Sequence, residues 1–120
     1  MLKGFRELRV WQAGMEVVED VYRLTKQFPQ HERYALANQM QRAAVSVPSN
    51  IAEGYTRDHR REYLQFLSVA QSSLAELDTQ LEIAGRLGYG KEDTLHELQE
   101  KVTGLQRQLR TLRNRLKSKE

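Results

Sequence analysis

QMQRAAVSVPSNIAEG, residues 39–54, combines the spacing of an amphipathic helix with a proline in the helix interior. Pro48 has no N–H to donate and its ring crowds the carbonyl of Ala44, which costs ~3 kcal/mol in a regular helix. The apolar residues nevertheless recur at the three- and four-residue steps of one helical face: Met40, Ala43, Ala44, Val47, Ile51 and Ala52. We therefore expect a helix over residues 32–54 that is bent or irregular near Pro48.

The polar residues around this proline have two interpretations. Ser46, Ser49, Asn50 and Glu53 either satisfy backbone groups freed by a kink or form a site that faces a channel or a subunit interface. In the first case we expect Ser46 or Asn50 to bond to the freed backbone. Gly54 is predicted to end the helix, because glycine adopts the left-handed C-terminal conformation without strain.

Three further segments have helical apolar spacing, over residues 6–28, 60–87 and 92–117. The first is predicted to end before Pro29, because the residue before a proline is disfavoured in helical geometry. The last alternates apolar steps of three and four, which is typical of coiled-coil-like packing: Leu95, Leu98, Val102, Leu105, Leu109, Leu112 and Leu116. The predicted buried set is Trp11, Tyr22, Met40, Ile51, Phe66, Leu74, Leu81, Leu98, Leu105 and Leu109.

Short connections between long amphipathic helices require each helix to fold back beside its predecessor. The predicted fold is all-α, an antiparallel up-down-up-down four-helix bundle that forms one domain over residues 1–120. The apolar seam of the fourth helix runs on to Leu116, beyond partners interrupted at Pro29 and Gly54, and the first helix carries two apolar stripes. Both features indicate self-association, because an apolar surface without an intramolecular partner favours an intermolecular one.

Composition limits the compartment and the chemistry. The chain contains no cysteine, which excludes disulfides and thiolate chemistry, and its N-terminus lacks the apolar run of a signal peptide. No segment has the ~20 apolar residues of a membrane span. The expected location is cytoplasmic, without membrane association.

Nothing in the sequence indicates an enzyme. Bundle metal sites use paired Glu-x-x-His motifs, and this chain has only one related pair, Asp93 and His96. Ser46 and Ser49 have no histidine nearby in sequence, and there is no nucleophile-elbow or phosphate-loop motif. We therefore expect no catalytic residue, no cofactor and no metal.

The net charge of +3 is unevenly distributed. Residues 71–100 carry two Lys/Arg against seven Asp/Glu, whereas residues 101–120 carry seven against one. Two arginine clusters are candidates for nucleic-acid binding by charge neutralisation: Arg57, Arg60 and Arg61, and Arg107, Arg110 and Arg113. A second interpretation is a solvated helix face whose C-terminal cations complement the helix dipole.

Several motifs occur in order along nearly the whole chain, among them Leu8-x-Val10-Trp11-Gln12, Phe28-Pro29-x-x-Glu32, Ser46-x-Pro48-x-Asn50-Ile51-Ala52-Glu53-Gly54, Tyr63-x-x-Phe66-Leu67 and Leu87-Gly88-Tyr89. With these motifs the chain resembles the four-helix bundle family of proteins encoded in intervening sequences of bacterial large-subunit ribosomal RNA. That family is related to accessory proteins of diversity-generating retroelements.

The resemblance implies antiparallel four-helix bundles that assemble into homopentameric rings around a central channel. It also implies a structural or interface role for Trp11, Pro48, Asn50, Glu53 and Gly54. The retroelement accessory proteins bind nucleic acid and a reverse transcriptase through basic ring surfaces. This chain departs from them in its modest net charge and its acidic stretch over residues 71–100.

Two functions remain open at this point. The protein is a non-enzymatic oligomer that binds RNA or DNA weakly and non-specifically through its arginine clusters. Alternatively, it is a protein-interaction scaffold, including an accessory subunit for a reverse transcriptase, that does not itself bind nucleic acid.

Overall fold

The computed structural model describes residues 4–119 and contains four α-helices: α1 (Arg9–Thr25), α2 (Leu36–Tyr55), α3 (Arg60–Arg86) and α4 (Glu92–Ser118). Two short 3-10 turns, Phe5–Glu7 and Gln30–Glu32, precede α1 and α2, and the described residues contain no strand. Each helix packs against its sequence neighbour, and α1 also packs against α4. The prediction of an all-α four-helix bundle is confirmed.

The α4 seam supplies one side of a continuous apolar core. Seven of the ten residues predicted to be buried are at most 2% exposed: Met40, Ile51, Leu74, Leu81, Leu98, Leu105 and Leu109. Trp11 and Phe66 are only half-buried at the margin of the core, and the prediction for Tyr22 is wrong, since its side chain is 44% exposed. The reason is that α1 turns its other apolar stripe inward, the one formed by Val17, Val21 and Leu24 and continued by Phe28 after the helix.

The predicted helix boundaries are accurate for α3 and α4 but too generous for the first two helices. The first helix begins at Arg9 and ends at Thr25, and the second begins at Leu36. Glu32 lies in the 3-10 turn before α2, where its Oε1 accepts a hydrogen bond from the Leu36 N–H at 3.3 Å. That bond satisfies one of the donors that a helix start leaves free, so α2 begins four residues later than predicted.

The α3–α4 loop is fastened to the α1–α2 connection. Gly88 and Gly90 both have φ of +75°, which glycine tolerates without strain. Between them, the hydroxyl of Tyr89 donates to Glu32 Oε2 at 2.8 Å. This hydrogen bond lowers the pKa of Glu32 and raises the pKa of Tyr89. The Tyr89–Glu32 hydrogen bond therefore joins the α3–α4 loop to the α1–α2 connection at one end of the bundle.

Pro48 does not interrupt α2, which runs as an α-helix from Leu36 to Tyr55. The helix therefore has no break at Pro48, and the predicted bend stays a prediction. Asn50 Nδ2 donates to the backbone oxygen of Ser46 at 2.7 Å and to its Oγ at 2.9 Å. Asn50 therefore bonds to the backbone, but at Ser46. The carbonyl that Pro48 leaves without a helical partner, because proline has no N–H, is that of Ala44.

The interpretation of Gly54 as a left-handed helix terminus is wrong. Among the described residues only Gly88 and Gly90 have positive φ, and α2 continues through Gly54 to Tyr55. A Cβ at Gly54 would lie 2.7 Å from the Cβ of Phe66, which is too close for two carbon atoms. The glycine is thus required by the close approach of α2 to α3.

Candidate nucleic-acid interface

The antiparallel topology brings three separate stretches of sequence to one end of the bundle. These are the start of α1, the α2–α3 turn and the end of α4. We define the basic end as residues 4–13, 49–70 and 107–119, which carry eleven Lys/Arg against four Asp/Glu. The remaining described residues carry seven against eleven, so the molecule is positive at one end and negative at the other.

All six arginines predicted from the sequence lie at the basic end. Five of them are exposed, namely Arg57, Arg60, Arg61, Arg107 and Arg110, and Arg113 is half-buried. They are not equivalent, because the Arg57 side chain already contacts an acidic and an aromatic residue of the bundle. Its Nη2 lies 3.7 Å from Glu53 Oε2 and its guanidinium lies 4.9 Å from the ring centroid of Phe66.

The arginines of α4 line two grooves of the bundle. The first, between α1 and α4, has a volume of about 390 Å³ and is lined by Arg9, Arg107 and Arg115. Its lining also includes three aliphatic residues, Leu8, Val10 and Leu112. Arg9 lies at the start of α1, and no pattern in the sequence pairs it with α4.

The second groove lies between α3 and α4 and has a volume of about 470 Å³. We call it the arginine groove, and it is lined by Ser68, Gln71, Ser72, Ala75, Gln106, Arg110 and Arg113. Arg113 Nη1 donates a hydrogen bond to Gln71 Oε1. Sequence reasoning missed Gln71 and Gln106, because no periodicity or motif distinguishes a groove-lining glutamine from an exposed one.

Tyr55, two residues before Arg57, has two interpretations: a base-stacking residue or a lid over the core. It is half-buried and packs edge-on against Tyr63, with 5.9 Å between ring centroids. Burial, together with Tyr55, raises the pKa of Tyr63 to about 12. This packing favours the lid interpretation, because the half-buried ring of Tyr55 already contacts another ring of the bundle.

The five motif residues do not converge on one cavity. Trp11 and Pro48 line a groove between α1 and α2, and Gly54 faces α3. Asn50 bonds within α2, and Glu53 pairs with Arg57 on the surface. The motif therefore combines contacts of α2 with two neighbouring helices.

The groove between α1 and α2, which we call the apolar groove, has a volume of about 350 Å³. Its lining is almost entirely apolar: Trp11, Met15, Val18, Val45, Pro48, Ser49 and Ala52. Met15 is 39% exposed and Val45 is 41% exposed, and Tyr22 is also exposed on α1. These side chains form an apolar surface that no part of residues 4–119 covers.

The remaining described residues, which we call the acidic end, also contain an ion-pair network. Burial raises the pKa of Asp20, but Lys101 at 2.7 Å and Arg23 at 2.6 Å outweigh it and hold that pKa below its usual value. This network joins α1 to α4.

Within residues 4–119 no group of three or more His, Cys, Asp or Glu side chains is arranged to hold a metal ion. None of the described helices is both long enough and apolar enough to cross a membrane.

A family model described as 23S rRNA-intervening sequence protein matches residues 6–111 of the chain. The match confirms the family resemblance predicted from the motifs. No protein with a curated description matches the sequence significantly.

The chain is also similar to a solved structure from Bacteroides thetaiotaomicron VPI-5482, described as a protein with unknown function from the S23 ribosomal protein family. The TM-score is 0.81 at 19% sequence identity, and the superposition covers 88% of this chain and 95% of the other. At this identity the similarity establishes a common fold.

Proposed function

The chain belongs to the 23S rRNA-intervening sequence protein family, and we propose that it is a non-enzymatic, cytoplasmic oligomer that binds RNA or DNA weakly through its basic end. The observation that carries the proposal is the convergence of three basic stretches, distant in sequence, on one end of the bundle. Phosphate backbones bind such arrays by charge neutralisation and counterion release, with little dependence on sequence.

The state of the individual arginines supports this proposal. Within residues 4–119, no carboxylate lies within 4.0 Å of Arg60, Arg61, Arg107 or Arg110, whereas Arg23 and Arg86 at the other end are ion-paired. Exposed guanidinium groups without a carboxylate partner are free to contact phosphates. The acidic end repels a polyanion, which directs it to the basic end.

Self-association is part of the proposal. The family resemblance implies a homopentameric ring, and the exposed apolar groove supplies a surface that a second copy of the chain would cover. Repeating one weak basic surface around a ring raises avidity by a factor of roughly 10²–10⁴ when one polyanion reaches several copies. A modest patch on each subunit is then sufficient for measurable binding.

The test is a fluorescence-anisotropy titration of a labelled single-stranded RNA and a labelled DNA duplex at several salt concentrations. We expect affinity for the duplex to fall by roughly 0.9 log units per log unit of salt for each phosphate neutralised. Arg60→Gln or Arg107→Gln should reduce that slope by about one per contact and affect all sequences alike. Arg42→Gln removes the same charge from the exposed surface at the other end and should leave the slope unchanged.

An intact oligomer that fails to bind either polyanion at low salt would refute the nucleic-acid proposal. The same holds if Arg42→Gln weakens binding as much as Arg60→Gln, because the basic end would then have no special part. Mass photometry or analytical ultracentrifugation of each variant shows whether the assembly is intact.

The apolar groove favours a second candidate function, that of a protein-interaction scaffold without nucleic-acid binding of its own. In this case the groove binds protein partners and the surface charges only keep the protein in solution; an accessory role for a reverse transcriptase is one example. Val45→Asp places a charge in the middle of the groove at an exposed position, so it leaves the core intact. The scaffold function predicts that Val45→Asp changes assembly or partner binding while the arginine substitutions change neither.

A further inference from the structure

We infer that the arginine groove between α3 and α4 is a built site for a phosphate group, held by Arg113 with Arg110 beside it. The phosphate belongs either to a free phosphate or phosphate ester, or to a nucleic-acid backbone, and in the second case the inference rests on the proposed function. The inference goes beyond a basic surface because it specifies one pocket, one oriented guanidinium and the side chains that orient it.

The guanidinium of Arg113 is oriented by a hydrogen-bond network that joins α3 and α4. Its Nη1 donates to Gln71 Oε1 on α3. Gln71 Nε2 in turn donates to Gln106 Oε1 at 3.4 Å, and Gln106 Nε2 donates to the backbone oxygen of Gln71 at 3.1 Å. Because this network fixes the guanidinium before any ligand arrives, little side-chain entropy is lost on binding.

The same network determines which atoms remain available to a ligand. The side-chain oxygens of Gln71 and Gln106 both accept hydrogen bonds inside the network. The groups left over are N–H donors of the amides and of Arg113, the guanidinium of Arg110, and the hydroxyls of Ser68 and Ser72. A groove that offers mainly donors and two positive charges suits a tetrahedral oxyanion and disfavours a cation.

The charge of Arg113 is half-buried without a counter-ion. Among residues 4–119 no carboxylate lies within 4.0 Å of Arg113 or Arg110, and none lines the groove. In addition, Arg113 Nε is covered by its surroundings and has no hydrogen-bond acceptor. A partly desolvated charge without a counter-ion raises the free energy of the unliganded protein, and an anion in the groove beside the guanidinium offsets that cost.

Phosphate is the anion that fits these donors best. The planar fork of an arginine matches two phosphate oxygens, and the serine hydroxyls and Arg110 provide donors for the remaining oxygens. The volume of about 470 Å³ leaves room for an attached ester group. A lone carboxylate would use only part of this donor set.

The first experiment titrates inorganic phosphate and pyrophosphate into the full-length protein by calorimetry, at constant ionic strength maintained with sodium chloride. Arg113→Gln should weaken binding roughly tenfold or more, since a charge-assisted bidentate contact is lost. Gln71→Leu should weaken it severalfold although no charge changes, because the guanidinium loses its support. Arg115→Gln removes an equal charge from the same helix outside this groove and should have a clearly smaller effect.

Arg113→Lys is a further test, because lysine retains the charge but lacks the planar fork. It should not restore the affinity lost in Arg113→Gln. Thermal unfolding followed by circular dichroism verifies that each variant is folded. If Arg113→Gln does not fold, Arg113→Lys and Gln71→Leu still separate a built site from diffuse charge.

The second experiment repeats the series with a labelled RNA and with unlabelled pyrophosphate as competitor. If Arg113→Gln weakens RNA binding more than Arg115→Gln and pyrophosphate competes, the phosphate is that of a nucleic-acid backbone. If RNA binding is equal in the two variants while pyrophosphate binding depends on Arg113, the ligand is a free phosphate or its ester. Either result supports the site.

The inference is overturned if phosphate and pyrophosphate show no saturable binding, or if Arg113→Gln and Arg115→Gln weaken it equally. Its failure is distinguishable from that of the proposed function. RNA binding with equal losses in both variants and no phosphate site leaves the proposed function intact. Saturable pyrophosphate binding without RNA binding refutes the proposed function and retains the site.

Discussion

Gly54→Ala should destabilise the protein, although alanine is normally the better helix former. A Cβ at residue 54 would lie 2.7 Å from the Cβ of Phe66 and 3.0 Å from Cδ1 of Tyr63. Carbon atoms in unstrained contact are about 3.5–4.0 Å apart. Since the Cβ of Phe66 is attached directly to the α3 backbone, no side-chain rotation relieves this clash. The two helices must therefore move apart.

The expected size of the effect follows from two opposing terms. Overpacking in a filled interface costs ~1–3 kcal/mol, and α2–α3 is the most extensive helix pair of the bundle. The greater helix propensity of alanine offsets ~1 kcal/mol of that cost. Because the clash is with a backbone-fixed atom, we expect the upper part of the range and a net loss of ~2 kcal/mol in the free energy of unfolding.

Gly104→Ala is the matched control. Gly104 also lies inside a helix, but a Cβ there meets nothing within 4 Å beyond its chain neighbours and the backbone of its own helix. We expect this variant to be more stable than the wild type by ~0.5–1 kcal/mol. Urea unfolding at one fixed protein concentration measures both variants, and the fixed concentration is needed because self-association contributes to apparent stability. If Gly54→Ala is as stable as the wild type, the close-approach explanation is wrong.

Three further predictions concern the core, α2 and pH. Leu105→Asp should abolish the cooperative thermal transition, since it buries a charge in the α4 seam, and a melt close to that of the wild type would show that the seam is not core. Asn50→Ala removes both side-chain bonds to Ser46 and should cost ~1 kcal/mol without changing the oligomer, whereas a folded monomer would indicate an interface role. The hydrogen bond from Tyr89 lowers the pKa of Glu32 below its ordinary 4.5, so the stabilising effect of the carboxylate is present above pH 4.5 and lost as the pH falls through the lowered pKa. The stability difference between wild type and Glu32→Gln should therefore shrink as the pH falls below 4.5, in acid titrations followed by circular dichroism.

The sequence was sufficient to predict the fold because apolar periodicity and chain breakers report directly on helices. The seam from Leu95 to Leu109 is buried as its spacing predicted. The error at Tyr22 has a physical origin. The first helix carries two apolar stripes, and periodicity ranks them without regard to which one the other helices cover. Only the packing partners, here α2 and α4, select the inner stripe.

The role of Gly54 was misjudged for a related reason. A glycine near the end of a predicted helix satisfies two requirements equally well, a left-handed terminus or a close helix contact. The first is local and visible in the sequence, whereas the second depends on Phe66, which is twelve residues later on another helix. The sequence alone therefore favours the left-handed terminus over the close helix contact.

The candidate site was predictable in its parts but not in its arrangement. Basic residues were identified along the sequence, but their meeting at one end follows from the antiparallel topology, and the oriented guanidinium of Arg113 follows from two glutamines on different helices. Hydrogen bonds between distant polar side chains leave no periodic pattern. A groove of this kind is therefore visible only once the helices are packed.

Packing and charge are carried by separate residues in this protein, and this separation determines how its function must be tested. Gly54, Asn50 and Pro48 make contacts within or between helices, and such contacts are enough to maintain a bundle. The similar structure from Bacteroides thetaiotaomicron has the same fold at 19% identity. Exposed arginines contribute little to helix packing, so a shared bundle does not require a shared charged surface. Substitutions at packing contacts should therefore change stability, and substitutions at the exposed Arg60 or Arg107 should change binding with little change in stability.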